Sequence, residues 1–378
     1  MARASTGNRR GGGARIRRPL KILLGILGVL LILILLNAFA LNNETESAKL
    51  TIPDAELVET TSGELQVLDT GEPTGGGALP VVLVHGSAGA INWWDDLIPL
   101  LEDERRVVAV DMLGYGGSDK PDSDYSIETQ ANLVAQVMAK LDLPRAVIIG
   151  HSLGGKVVTS LAEQSPDLVA GLVIIDTAPD NSFGGLTGSA KATRVPLLGQ
   201  ALWRIAPDFM IRRTVSQGFA PGFDVPGKYV DDVRAMTYPA YKESAARSED
   251  YTGERGLVDR LTEVARPLLV IFGERDQIYD AREALSAYAA IPGVQTLLIP
   301  DSGHSPQVET PEKTAEAITE FADEIEAREE AEARAAARAK AEARAKARAR
   351  AKARTKAKKR ANGKRAGKRA NGKAKATN

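Results

Sequence analysis

The 378-residue chain contains no cysteine. That absence excludes disulfides, thiolate metal sites, a cysteine nucleophile and a lipid-modified cysteine anchor. It leaves export open, because a core of this size does not depend on disulfides. Histidine is scarce as well: His85, His151 and His304 are the whole supply. With each accounted for below, no metal site is expected. There is no glycine-rich phosphate loop, and Gly114-x-Gly116 lacks the rest of a dinucleotide fingerprint, so no cofactor is expected either. Acidic residues are missing from positions 1–21, and charge of either sign is missing from 22–43.

What is present centres on Gly150-His151-Ser152-Leu153-Gly154-Gly155. The apolar run Ala146–Ile149 before it reads as a strand buried on both faces of a parallel sheet. The run 156–162 after it reads as a helix with no breaker until Pro166. A turn this sharp strains its central residue and admits only small neighbours, here Gly150 and Gly154. It would hold the Ser152 hydroxyl clear of the sheet, beside backbone N–H groups and a helix N-terminus. A serine needs a base to become a nucleophile. His151 adjoins Ser152 and should point away from it, and His85 lies well upstream on a strand-turn. His304 remains, just past the apolar strand that ends at Ile299. A third group must orient that imidazole. Asp276 follows the strand 268–273 on a loop, and Asp176, also at a strand end, is the alternative acid. Asp111 ends a strand too, but its surroundings read as a packed structural turn. The bland reading of Ser152, a glycine-flanked turn, is weakened by the strand before it, the helix after it and the single available histidine.

The order Ser152, Asp276, His304 is that of the α/β-hydrolase triad, and residues 50–327 resemble that family in its capped branch. The resemblance extends to His85-Gly86-Ser87-Ala88-Gly89, to 110–121 with Asp111 and Gly114-Tyr115-Gly116-Gly117, and to Gly303-His304-Ser305-Pro306 followed by Glu309 and Pro311-Glu312. It implies a mostly parallel sheet with helices on both faces and a helical cap inserted after the sixth strand, at 179–266. It also implies an oxyanion hole from the backbone N–H of Leu153, after the nucleophile, and of Ser87. Ser152 stands where epoxide hydrolases and dehalogenases have a carboxylate, which disfavours those chemistries. Cap helices are expected at 197–205, 209–215 and 229–236, punctuated by Pro207, Pro221, Pro226 and Pro239.

The termini speak to location. Residues 22–41 are long enough to cross a bilayer as a helix. The seven basic residues before them predict a cytoplasmic N-terminus and an extracytoplasmic hydrolase. The rival is a signal peptide cleaved near Ala38-Phe39-Ala40. Residues 42–49 read as a linker. The zero net charge hides segregation: residues 328–378 carry 20 Lys+Arg against 4 Glu, and the body is acidic. That tail alternates charge with alanine, so wound as a helix it has no apolar stripe. Past Ala361 the Asn-Gly repeats should break the helix. Its expected partner is anionic lipid or envelope polymer rather than nucleic acid; mere solvation is the alternative. The expected function is hydrolysis of a small apolar ester, with C–C, thioester, amide or perhydrolase chemistry on the same triad as alternatives. An idle fold serving as an envelope tether is the contrasting class.

Overall fold

The computed structural model describes residues 18–74, 76–184, 193 and 195–374. The chain divides into two units, Met1–Thr319 and Glu320–Asn378. In the first, helix α1 (Arg18–Asn42) precedes a hairpin of β1 (Ala55–Thr60) and β2 (Gly63–Asp69). Then come β3 (Val81–Val84), β4 (Val107–Val110), α2 (Ile127–Lys140), β5 (Ala146–His151), α3 (Leu153–Gln164) and β6 (Val169–Ile175). After the cap follow β7 (Leu268–Gly273), α9 (Ala281–Tyr288), β8 (Gln295–Ile299), the short α10 (Pro306–Glu309) and α11 (Pro311–Ala374).

The eight strands form one sheet in the order β1-β2-β4-β3-β5-β6-β7-β8. Only the β1–β2 and β2–β4 pairings are antiparallel; β4 to β8 run parallel. Every residue of β3 through β7 is buried, which is why those segments read as unbroken apolar runs rather than alternating ones. The edge strand β8 is partly exposed. The parallel strands aim their C-terminal ends at one rim, where loops carrying function collect in open α/β sheets.

The segment between β6 and β7 contains five described helices: α4 (Leu198–Ile205), α5 (Asp208–Val215), α6 (Gly227–Ala235), α7 (Tyr238–Glu254) and α8 (Leu257–Val264). The three expected helices correspond to α4, α5 and α6. Two helices beyond the expected three, α7 and α8, complete the segment, and Pro239 marks the break between α6 and α7. It sits in the first turn of α7, where its missing N–H costs no hydrogen bond. Thr237 caps that helix, its hydroxyl accepting the Ala240 N–H at 3.3 Å.

Residues 42–49, read as a linker, run from the last residue of α1 towards β1, and the N–H of Glu46 donates to the Lys120 carbonyl at 3.1 Å and that of Lys49 to Gly117 at 2.9 Å. One expectation needs correction. In the second unit α11 continues through Asn362-Gly363 and Asn371-Gly372 to Ala374 rather than breaking near Ala361. A glycine costs a helix only about 1 kcal/mol relative to alanine, and the Ala, Lys and Arg around these pairs are strong helix formers. From Glu330 to Arg350 every side chain is exposed, as a helix without an apolar stripe requires.

Candidate active site

Ser152 occupies the one-residue joint between β5 and α3, with φ 51° and ψ −113°. Backbone in this region costs roughly 1–3 kcal/mol and persists only where the surroundings enforce it. Here the Ser152 N–H donates to the Ile175 carbonyl at 2.8 Å, and the Thr177 hydroxyl donates to the Ser152 carbonyl at 2.9 Å. The flanking glycines are sterically required. A Cβ on Gly150 would fall 2.4 Å from the Gly154 carbonyl oxygen, and one on Gly154 would fall 2.2 Å from that of Val84.

The loops after β7 and β8 bring the other two residues together. His304 Nδ1 lies 2.8 Å from Asp276 Oδ2, with both side chains almost fully buried. Asp276 Oδ1 accepts the N–H groups of Ile278 at 2.6 Å and Tyr279 at 3.2 Å, which fixes the carboxylate. Asp176, the alternative acid, is close by: ligand atoms of Asp176, Asp276 and His304 lie within 4.8 Å of one another. It does not take the imidazole. It accepts the Gly273 N–H at 3.1 Å, and burial together with the Asp276 charge holds its carboxyl well above the ordinary range. Asp176 therefore pairs with backbone and leaves the imidazole to Asp276.

The other two histidines have structural partners. His85 Nε2 accepts the Met112 N–H at 3.1 Å while Nδ1 faces the Gly86 carbonyl at 2.8 Å, and burial keeps the ring neutral. His151, expected to point away from Ser152, lines the same cavity as Ser152 and His304, its ring 5.1 Å from that of His304. Its Nε2 lies 2.7 Å from the backbone carbonyl of His304, so that nitrogen carries the proton and holds the His304 loop. Glu309 holds the same loop from the other side. Its carboxylate accepts N–H groups of Gly303 at 3.0 Å and Ser305 at 3.2 Å, and of Ala220 in the cap at 2.7 Å. Sequence reasoning had Glu309 only as part of a motif; its spacing five residues after His304 was the available signal.

Ser87 and Leu153 both line the cavity that Ser152 and His304 face. The turn carrying Ser87 presses on the nucleophile joint, since a Cβ on Gly86 would lie 3.1 Å from Ser152 Cβ. The cavity has a volume of about 1110 Å³ and its roof comes from the cap, including Trp203, Phe209 and Met210. Two polar links secure that roof and were not legible in the sequence. Lys156 of α3 donates to the Ser248 carbonyl at 2.9 Å and to the Thr252 hydroxyl at 3.0 Å, both on α7; burial pulls its ammonium down to about 8. Asp232 of α6 accepts from Asn92 at 2.9 Å and from the Trp93 indole at 3.0 Å. Burial pushes its carboxyl up to about 7.

Comparison with known proteins agrees with this architecture. The profile of the alpha/beta hydrolase fold family matches residues 80–311. An uncharacterised protein of Mycobacterium tuberculosis is 32% identical over 265 residues, covering 65% of this chain and 76% of its own. The 2-hydroxymuconate semialdehyde hydrolase of a Pseudomonas species is 27% identical over 264 residues, covering 67% of this chain and 89% of its own. Among solved structures, a thermophilic esterase from Thermogutta terrifontis superposes with a TM-score of 0.57 at 27% identity, over 75% of this chain and 99% of its own.

Proposed function

The chain belongs to the α/β-hydrolase fold family, and within it we propose a membrane-anchored serine hydrolase that cleaves a carboxylic ester through an acyl-enzyme on Ser152. The observation that carries this reading is the 2.8 Å His304–Asp276 contact at the wall of the cavity that Ser152 enters on a strained turn. With Nδ1–H held by the carboxylate, His304 has its Nε2 lone pair available to take the Ser152 proton. The freed oxygen attacks the ester carbonyl carbon, and the backbone N–H groups of Leu153 and Ser87 receive the developing oxyanion. The alcohol leaves with the proton from His304. Water, deprotonated by the same imidazole, then releases the acid and restores Ser152. Asp276 stabilises the imidazolium in both halves.

Helix α1 supports the anchor half of the reading. It is apolar and long enough to cross a bilayer. Its end is built into the hydrolase: Ala38 and Leu41 are buried, and Asn42 accepts from Gln200 of α4 at 2.9 Å. Cleavage at Ala38-Phe39-Ala40 would remove part of that contact. With seven cations before residue 22, α1 would hold the N-terminus in the cytoplasm and the enzyme outside.

A fluorophosphonate probe tests the chemistry. It should label the wild-type chain and spare Ser152→Ala; labelling of neither would sink the reading. A second reading, hydrolysis of a small semialdehyde rather than an ester, is favoured by the named Pseudomonas relative. Turnover of 2-hydroxymuconate semialdehyde in excess of any simple ester would select it.

A further inference from the structure

The exposure of α1 changes abruptly along its length. From Leu20 to Leu36 the apolar side chains are exposed on every face. From Ala38 onward the helix is packed against the cap, with Ala38 and Leu41 buried and α4 and α7 as its neighbours. At 1.5 Å per residue the uncharged exposed stretch from Ile22 to Leu36 spans roughly 22 Å, and about five more residues reach the ~30 Å apolar thickness of a bilayer. That carries the apolar boundary past Phe39, itself 69% exposed, to Leu41, so the last turn of the span is the part packed against the cap.

The cap surface beside that boundary is unusually apolar for one facing water. Ile205 at the end of α4 and Phe209 in α5 are each 72% exposed, and Met210 is exposed beside them. Arg204, Arg212 and Arg213, also exposed, place cations at the same edge, where anionic headgroups would lie. The edge is continuous with the cavity: Leu41 of α1 and Leu202, Phe209, Met210 and Ile211 of the cap line the space that reaches Ser152 and His304. The membrane helix thus contributes wall to the substrate cavity.

Resting on the hydrolase and anchor readings above, we propose that the Ile205–Phe209–Met210 edge lies in the surface of the bilayer that α1 crosses, and that it passes a long-chain acyl ester from that leaflet into the cavity at Ser152. The reaction is ester plus water to fatty acid plus alcohol: the ester's acyl C–O bond breaks, the acyl carbon bonds first to Ser152 Oγ and then to the oxygen of water, and the alcohol leaves protonated by His304. An apolar product returns to the leaflet it came from.

The test uses the full-length protein in phosphatidylcholine vesicles containing phosphatidylglycerol. Nitrophenyl palmitate is dissolved in the bilayer and nitrophenyl butyrate in the water. Ile205 is at the edge without lining the cavity, so Ile205→Asp should lower palmitate turnover about tenfold, the cost of withdrawing one buried aliphatic side chain, and leave butyrate turnover unchanged. Because the chain has no cysteine, Ile205→Cys accepts a single fluorophore. Quenching of that fluorophore by brominated lipid, and not by aqueous iodide, supports the proposal. Quenching by iodide alone, with both esters responding alike to Ile205→Asp, overturns it while leaving the hydrolase intact. Absence of butyrate turnover and of fluorophosphonate labelling in the wild type is the separate failure of the hydrolase reading beneath it.

Discussion

The indole N–H of Trp93 donates to Asp232 at 3.0 Å, tying cap helix α6 to the short helical turn that follows β3. Burial raises that carboxyl from 3.8 to about 7. Between those values the folded chain keeps a proton that the unfolded chain has lost. Stability from this group is therefore complete below about pH 4 and falls as the pH rises towards about 7. Asp232→Asn should flatten the fall, since Asn92 can turn its unpartnered Oδ1 to meet the new amide. Denaturant titrations at about pH 5 and about pH 8 should show the wild type losing roughly 2–4 kcal/mol more than the variant. Equal losses would mean that Asp232 does not titrate with folding.

The two acids near His304 should respond differently to the same change. Asp276→Asn presents an amide to Nδ1 and selects the wrong tautomer, which should cost about 10⁴ in turnover. Asp176→Asn replaces a carboxyl whose uncharged form burial favours and which does not contact the imidazole, so turnover should stay within about tenfold of wild type. Steady-state kinetics on a soluble ester decide it. A collapse in Asp176→Asn with survival of Asp276→Asn would reverse the assignment.

The contrast between these groups shows what the sequence discloses. Gly150 and Gly154 announce the Ser152 turn because backbone lies within 2.5 Å of where their Cβ atoms would be, a local demand written in local residues. The β3–β7 strands are legible for a similar reason, since burial on both faces leaves only apolar choices. The acid was less plain, because Asp176 and Asp276 both end strands and only the fold shows which one reaches Nδ1. Asp232, Lys156 and the His151–His304 contact were invisible, joining segments about 90 to 150 residues apart through pairings that no periodicity encodes. In the cap, Pro207, Pro226 and Pro239 mark helix starts and so separate one helix from the next.

Glu309 should matter to folding and to catalysis together. Its carboxylate satisfies three backbone N–H groups, two of them flanking His304. Glu309→Ala leaves those donors unpaired and should destabilise the protein by roughly 3 kcal/mol or more. Turnover per folded molecule should fall as well, because the imidazole loses its fixed loop. Thermal unfolding and active-site titration of the same sample separate the two effects; unchanged values in both would show that the loop is held elsewhere.

The basic tail is proposed to bind anionic lipid or envelope polymer. Twenty cationic residues against four acidic ones in residues 328–378 should release counterions on binding, so retention should weaken steeply with salt. Truncation after Ala327 should abolish salt-sensitive binding to anionic polymer and leave soluble ester turnover unchanged. Equal binding by both forms would reduce the tail to solvation.

The proposed hydrolysis passes through an acyl-enzyme on Ser152, which pre-steady-state release of nitrophenol from nitrophenyl butyrate detects. Wild-type protein should release a rapid burst matching the concentration of active sites, with the acyl group mapped by mass to the peptide holding Ser152. Ser152→Ala should show no burst and a turnover lower by about 10⁶. Steady turnover that survives Ser152→Ala, or an acyl group mapped to another residue, would show that Ser152 is not the nucleophile.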